Sequence, residues 1–212
     1  MDDRTRFTDR ATAGELLGET LRERGVEADL VLAVPRGGLP VGRAVADALD
    51  APLDVVVAKK VGAPGNPEYA LGAVADDGTV WRNEAALASG RDEAYFERRR
   101  AAAEETARRT AERYRAGGPP PDVAGKRVVV VDDGVATGST TMACLRTLRR
   151  RGPARLVLAV PVGPPETVRE LSAVADETVC LLTPTDFGAV GSFYDRFDQV
   201  SDDEAIAFLR RS

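Results

Sequence analysis

Histidine is missing from this 212-residue chain. Its absence excludes a Ser-His-Asp triad, histidine-ligated zinc and acid–base chemistry on an imidazole. Lysine is almost as scarce: Lys59, Lys60 and Lys126 stand against an abundance of arginine. That bias fits a GC-rich genome or a salt-adapted host, and it makes an adjacent lysine pair conspicuous. Cysteine is limited to Cys144 and Cys180, both inside apolar patterns. They read as buried free thiols in a reducing cytoplasm, not as a disulfide framework. No apolar run approaches the ~20 residues of a membrane span, and Met1-Asp2-Asp3 begins no signal peptide. A cytoplasmic protein with no membrane partner is therefore expected. A net charge of -5 argues against a general nucleic-acid binder and leaves room only for a local basic groove.

What is present suits a compact enzyme. With 43% hydrophobic residues the chain can bury a proper core, and its length suits one domain with an appended lobe. Helical spacing runs over 11–24, with Leu16, Leu17 and Leu21 on one face and Gly25 as the stop. Further helices are expected over 40–49 and 165–173, and short apolar strands over 30–34, 54–58, 155–160 and 178–182. Strands alternating with helices imply an α/β fold with a parallel sheet flanked by helices. The texture changes in the middle: a Gly/Pro/Asn loop over 60–69, then a hairpin around Asp76-Asp77-Gly78. A long charged helix over 91–115 follows, whose Arg98-Arg99-Arg100 run reads as a solvated face. Residues 117–121 lead back to the core. The expected organisation is a single domain over 1–212. Its core lies at about 30–182, a helical insertion at about 81–121, and a small C-terminal hood at about 183–212 completed by the N-terminal helix. Ser201 to Arg211 reads as a capped helix.

The richest segment is Val128 to Thr141, VVVVDDGVATGSTT. Four β-branched residues read as a buried strand. Asp132 and Asp133 follow at its end, then a loop with Gly138 and the hydroxyls of Thr137, Ser139, Thr140 and Thr141, then a helix. In open α/β sheets ligands bind beyond the carboxyl ends of strands, and a helix N-terminus offers N–H groups to a phosphate. Carboxylates suited to sugar hydroxyls or Mg²⁺ thus stand beside donors suited to a phosphate. A second candidate site, Val34-Pro35-Arg36-Gly37-Gly38, also joins a strand to a helix. Its glycines let N–H groups approach an anion, and Arg36 adds a permanent forked charge.

The segment Asp132-Asp133-Gly134-Val135-Ala136-Thr137-Gly138-Ser139-Thr140 resembles the binding signature of type I phosphoribosyltransferases for 5-phosphoribosyl-1-diphosphate (PRPP). Gly134 stands where that pattern is more often aliphatic. The resemblance, with Pro35-Arg36-Gly37-Gly38 and Gly62-Ala63-Pro64-Gly65-Asn66-Pro67-Glu68, is to a poorly characterised phosphoribosyltransferase-like subgroup. It implies Mg²⁺-dependent transfer of the 5-phosphoribosyl group to a nitrogenous base, with release of diphosphate. Asp132 and Asp133 would hold the ribose hydroxyls and act in catalysis, and Ala136, Thr137, Gly138, Ser139 and Thr140 would bind the 5′-phosphate. Arg36, Gly37 and Gly38 match the diphosphate loop, often built around a cis peptide, and Lys59 would assist there. A mobile loop after the second strand would exclude water, with Lys60 favoured as the catalytic cation. Mg²⁺ would arrive on the substrate, with Asp132 and Asp133 the only protein groups expected near it. Stacking on the base falls to Phe187, Phe193 or Tyr194, for each of which hood packing is an equal reading. Enzymes acting on 6-oxopurines usually have an acidic residue where this chain has Ala136. Alanine there is more like the adenine or uracil enzymes, whose base-recognition segments are not evident. Two rivals stay open: a PRPP- or nucleotide-binding regulatory protein without efficient transfer, and a PRPP-synthesising kinase, which usually needs a longer chain. A homodimer is left open.

Overall fold

The computed structural model describes residues 6–88 and 91–210, with backbone alone for Glu68 and Arg91. Residues 1–3 and Arg211, on which two expectations fall, lie outside the described residues. The helices are α1 (Arg10–Glu23), α2 (Gly38–Leu49), α3 (Glu84–Leu87), α4 (Arg91–Arg115), α5 (Ser139–Arg150), α6 (Pro165–Ser172) and α7 (Asp202–Arg210). The strands are β1 (Leu30–Ala33), β2 (Leu53–Val55), β3 (Ala58–Ala63), β4 (Asn66–Ala75), β5 (Val80–Arg82), β6 (Arg127–Val131), β7 (Arg155–Val162) and β8 (Glu177–Leu182).

Five strands form the expected parallel sheet, in the order β2-β1-β6-β7-β8. Side chains alternate between its faces. Leu30, Leu32, Val128, Val130, Leu156 and Leu158 pack with Cys144, Leu145 and Leu148 of α5 and with Leu171 of α6. On the other face Val31, Val129, Val131 and Val157 meet Leu17 and Leu21 of α1 and Val41 and Val45 of α2. Burying each of these larger aliphatic side chains stabilises the fold by about 1.5–3 kcal/mol. β1 leads outward to β2, and β6 leads the opposite way to β7 and β8. The order therefore reverses between β1 and β6, and a crevice for a ligand is expected there.

Two expectations need correction. Residues 60–69 are not an open loop, and the strand expected over 54–58 ends at Val55. β3, β4 and β5 form a separate antiparallel sheet, with Ala58 paired to Ala75 and Lys60 to Ala73. Its tip is the Pro64-Gly65 turn, where Gly65 has φ +78°. The Gly/Pro/Asn content marks that turn and the bulges beside it, while backbone pairing decides the arms. The chain thus leaves the main sheet at Ala58, well before Trp81. Arg115, at the end of α4, ties this appended part to the core. It donates to Asp54 at 2.7 Å and to the Val55 carbonyl at 2.6 Å, and it pairs with Asp76. Burial pushes the Asp76 carboxyl up, against the pull of Arg115.

Cys144 is buried and Cys180 half-buried, both as free thiols. Burial raises them to about 12 and about 11.

Candidate functional site

β1 and β6 run side by side, with Ala33 opposite Val131 and the Val34 N–H donating to the Val131 carbonyl at 2.9 Å. The two loops singled out in the sequence therefore leave the same edge of the sheet as immediate neighbours. In the first, the Pro35-Arg36 peptide is cis, and α2 begins at Gly38. The loops touch: a Cβ built on Gly37 would fall 2.0 Å from Oδ2 of Asp133, and one on Gly38 would fall 2.9 Å from the Val131 carbonyl. Only glycine allows this approach.

The acidic pair is held unequally. Asp132 Oδ1 accepts from the Asp133 N–H at 2.9 Å, and Oδ2 accepts from the buried Thr141 hydroxyl at 3.1 Å. Burial pushes the Asp132 carboxyl well above the ordinary range, and the charge of Asp133 adds to the rise. Asp133 is raised too, again by burial first, but Arg10 opposes it, with its Nε 2.8 Å from Oδ2. Arg10 comes from the first turn of α1. Its guanidinium lies 3.7 Å from the centre of the Phe197 ring and donates to the Asp198 carbonyl at 2.7 Å.

Gly134 departs from the aliphatic type for a physical reason. Its φ is +152°, and a Cβ there would meet Val190 at 2.6 Å and Val162 at 2.9 Å. The hood turn Val190–Phe193 occupies the space an aliphatic side chain would need.

The phosphate loop is shaped for donors. Gly138 takes φ +66° and precedes α5, whose first-turn N–H groups have no intrahelical partners, the Ser139 N–H donating to the Thr137 hydroxyl at 3.5 Å. Thr167 of α6 buttresses the loop by donating to the Ala136 carbonyl at 2.8 Å. Ala136, Thr137 and Thr140 are exposed, Ser139 is half-exposed and Gly138 is buried. Lys60 on β3 reaches this loop, its Nζ 3.3 Å from the Ser139 Oγ. Lys59 lines a groove against α4, with Tyr95 and Arg99, to which Lys60 also contributes. Arg36 stands 3.5 Å from Asp202 at the start of α7, where Arg113 and Tyr114 also converge.

The three aromatic candidates divide. Tyr194 is buried, flanked by Phe7 at 5.4 Å and Phe197 at 5.0 Å, and its hydroxyl donates to the Asp133 carbonyl at 2.6 Å. It anchors the acidic loop to the hood. Phe187 and Phe193 stack on each other at 5.3 Å and are only half-buried. Sequence reasoning overlooked Arg10, and it left Tyr194 open between base stacking and hood packing. The local pattern around Arg10 is that of an ordinary helix start, capped by Asp9.

No cluster of three potential metal-ligating side chains occurs among the described residues. Two adjacent carboxylates with hard oxygens, each already engaged, fit Mg²⁺ carried on substrate oxygens better than a resident ion.

A family model described as a phosphoribosyl transferase domain matches residues 8–197. Proteins from two strains of Mycobacterium tuberculosis, provisionally named phosphoribosyl transferases, are 42% identical over 207 residues. The match covers 97% of this chain and 47% of theirs, so the chain spans about half the length of those relatives. The crystal structure of TT1426 from Thermus thermophilus superposes with a TM-score of 0.90. It is 48% identical, covering 96% of this chain and 97% of that one.

Proposed function

The chain belongs to the phosphoribosyl transferase domain family, and from that premise we propose that it transfers the 5-phosphoribosyl group of PRPP to a nitrogenous base. The C1–oxygen bond to diphosphate breaks as the C1–nitrogen bond forms, diphosphate leaves with the electron pair, and the proton displaced from an N–H acceptor passes to the departing diphosphate or to solvent. The observation that carries this reading is the convergence of three chemistries where the sheet order reverses. The acidic pair, the Arg36-Gly37-Gly38 loop and the N-terminus of α5 leave neighbouring strand ends.

Asp132 and Asp133 hold the ribose hydroxyls and place negative charge near the developing cation. Arg10 fixes Asp133 while leaving its second oxygen for the sugar. Ala136 to Thr140 hold the 5′-phosphate through backbone N–H groups and hydroxyls, with Lys60 alongside. A helix dipole supplies only ~0.3–1 kcal/mol at an exposed site, so several direct hydrogen bonds share that load. Arg36 and the N–H of Gly37 receive the diphosphate, while the Gly38 N–H donates to the Val34 carbonyl at 3.1 Å and fixes the turn. The Arg36–Asp202 pair is part-exposed and screened by solvent, so a diphosphate can displace it. Phe187 and Phe193 are the aromatic surface left for the base, since Tyr194 is committed to Asp133. Mg²⁺, carried on the substrate, supplies charge neutralisation at the leaving diphosphate.

Titration calorimetry of PRPP with Mg²⁺, and again with EDTA, tests this reading. Strong binding with Mg²⁺ and weak binding without it are expected, because the acidic pair would repel an uncompensated diphosphate. Negligible heat in both conditions overturns it. A screen of bases for diphosphate release and a ribosylated product then identifies the acceptor. PRPP binding without any turnover would favour a regulatory role, to which Ala136, unable to take a proton from the acceptor, also points.

A further inference from the structure

A cleft of about 470 Å³ opens behind the phosphate loop, between α5, α6 and the second sheet. Its walls include Lys60, Ser139, Trp81, Arg146 and Glu170. Thr137, Gly138 and Ser139 of the phosphate loop form one end of it together with Lys60, and neither the acidic pair nor residues 36–38 line it, so the cleft shares that one end with the proposed transfer site. Arg146 projects from α5 with its guanidinium 4.2 Å from the centre of the Trp81 ring. Its Nε is buried and has no hydrogen-bond partner, and it makes no ion pair among the described residues.

That isolation is unusual in this chain. Other arginines that leave solvent meet carboxylates: Arg115 meets Asp54 and Asp76, and Arg10 meets Asp133. Burial alone acts on Arg146, pulling its guanidinium below the ordinary arginine value. An arginine nevertheless stays charged. Cation–π contact offsets only part of the desolvation cost, so an anion placed beside Arg146 would be stabilising there. Lys60 and the Ser139 hydroxyl supply further donors at the edge shared with the phosphate loop. Met142, Leu171 and Tyr69 provide an apolar wall, and Glu170 stands exposed at the rim.

We propose that this cleft is a second anion site, in which Arg146 receives the phosphate of a small phosphate monoester whose organic part lies against Met142, Leu171 and Tyr69. It is separate from the position of the PRPP 5′-phosphate, and it rests on the phosphoribosyltransferase reading only in being second. Glu170 then accepts a hydrogen bond from a hydroxyl or amino group of the ligand.

Trp81 is the sole tryptophan of the chain, so its emission reports on this cleft directly. Inorganic phosphate is titrated into the full chain, alone and with saturating PRPP and Mg²⁺, while Trp81 fluorescence is followed. A saturable change is expected in both conditions. Arg146→Gln should weaken it about tenfold or more, as loss of a charge-assisted hydrogen bond does, and leave calorimetric PRPP binding unchanged. Arg146→Lys keeps the charge and should recover part of the response, which separates loss of the anion from misfolding. The inference fails if Arg146→Gln titrates like the wild type, or if PRPP abolishes the phosphate response, because phosphate then enters only the loop. If PRPP itself does not bind, the transferase reading fails, and the titration without PRPP still decides this one.

Discussion

A methyl group on Gly37 would lie 2.0 Å from the Oδ2 of Asp133, the same oxygen that Arg10 holds at 2.8 Å from another side. The carboxylate cannot swing away without breaking that ion pair. Gly37→Ala therefore forces either the loop or the acidic pair to move, and overpacking of this kind costs about 1–3 kcal/mol. The expected outcome is a folded protein of reduced stability whose PRPP affinity falls more than its Tm suggests. Thermal melts paired with calorimetry check it, and unchanged affinity would show that the two loops do not act together.

Asp132 links stability to pH in a direction opposite to most carboxylates. Its native pKa is raised above 3.8, chiefly by burial and then by Asp133. The folded chain thus binds its proton more tightly than the unfolded chain. The associated stability is fully present below 3.8 and is lost as pH rises through the elevated native value. Asp132→Asn should match the wild type in acid and exceed it at neutral pH by about 0.5–2 kcal/mol, while losing PRPP affinity. Urea unfolding from acid to neutral pH measures the gap, and a constant difference would refute the assignment.

Lys60 lies against the phosphate loop, 3.3 Å from the Ser139 Oγ, in this state. Lys60→Ala should therefore cost PRPP binding about 1.5–3 kcal/mol, the range for hydrogen bonds to charged groups. The single-turnover rate at saturating PRPP should change by less than about threefold if only uniform binding is lost, and Lys59→Ala should do less on both counts. A fall in rate at unchanged affinity would instead put Lys60 on the leaving diphosphate.

Tyr194→Phe removes the hydroxyl that donates to the Asp133 carbonyl at 2.6 Å. Leaving that part-buried acceptor unmatched should cost about 1–3 kcal/mol. Because the hydroxyl positions the acidic loop, PRPP affinity should weaken as well. Burial raises the Tyr194 pKa, so the donor remains protonated and the deficit should not depend on pH up to mildly alkaline values. Denaturant titration and calorimetry at two pH values test both statements.

The legible parts of this molecule are those written in consecutive residues. Val128 to Gly138 encodes a buried strand, its end and a helix start within eleven neighbours, so local pattern sufficed. The fold class followed from the same alternation. The arms of the second sheet were hidden because β3 and β4 owe their pairing to each other, across a bulged register that interrupts any simple alternation. Arg10 and Asp133 stand 123 positions apart, and Arg115 and Asp54 stand 61 apart. Nothing in the neighbourhood of either arginine announces its partner. Tyr194 stayed open between stacking and hood packing because an aromatic in a hood suits both, and only its contacts with Phe7, Phe197 and Asp133 separate the two.

The two thiols offer a clock for breathing of the fold. A thiol reacts as its thiolate, and with values near 12 and 11 the native cysteines are almost silent toward alkylating reagents at neutral pH. Cys144 sits at the seam between α5 and the main sheet. Its modification must wait for that seam to part, so the labelling rate counts openings directly beneath the phosphate loop. Slowing of that rate by PRPP would reveal how far a ligand at the loop quiets the helix that bears it.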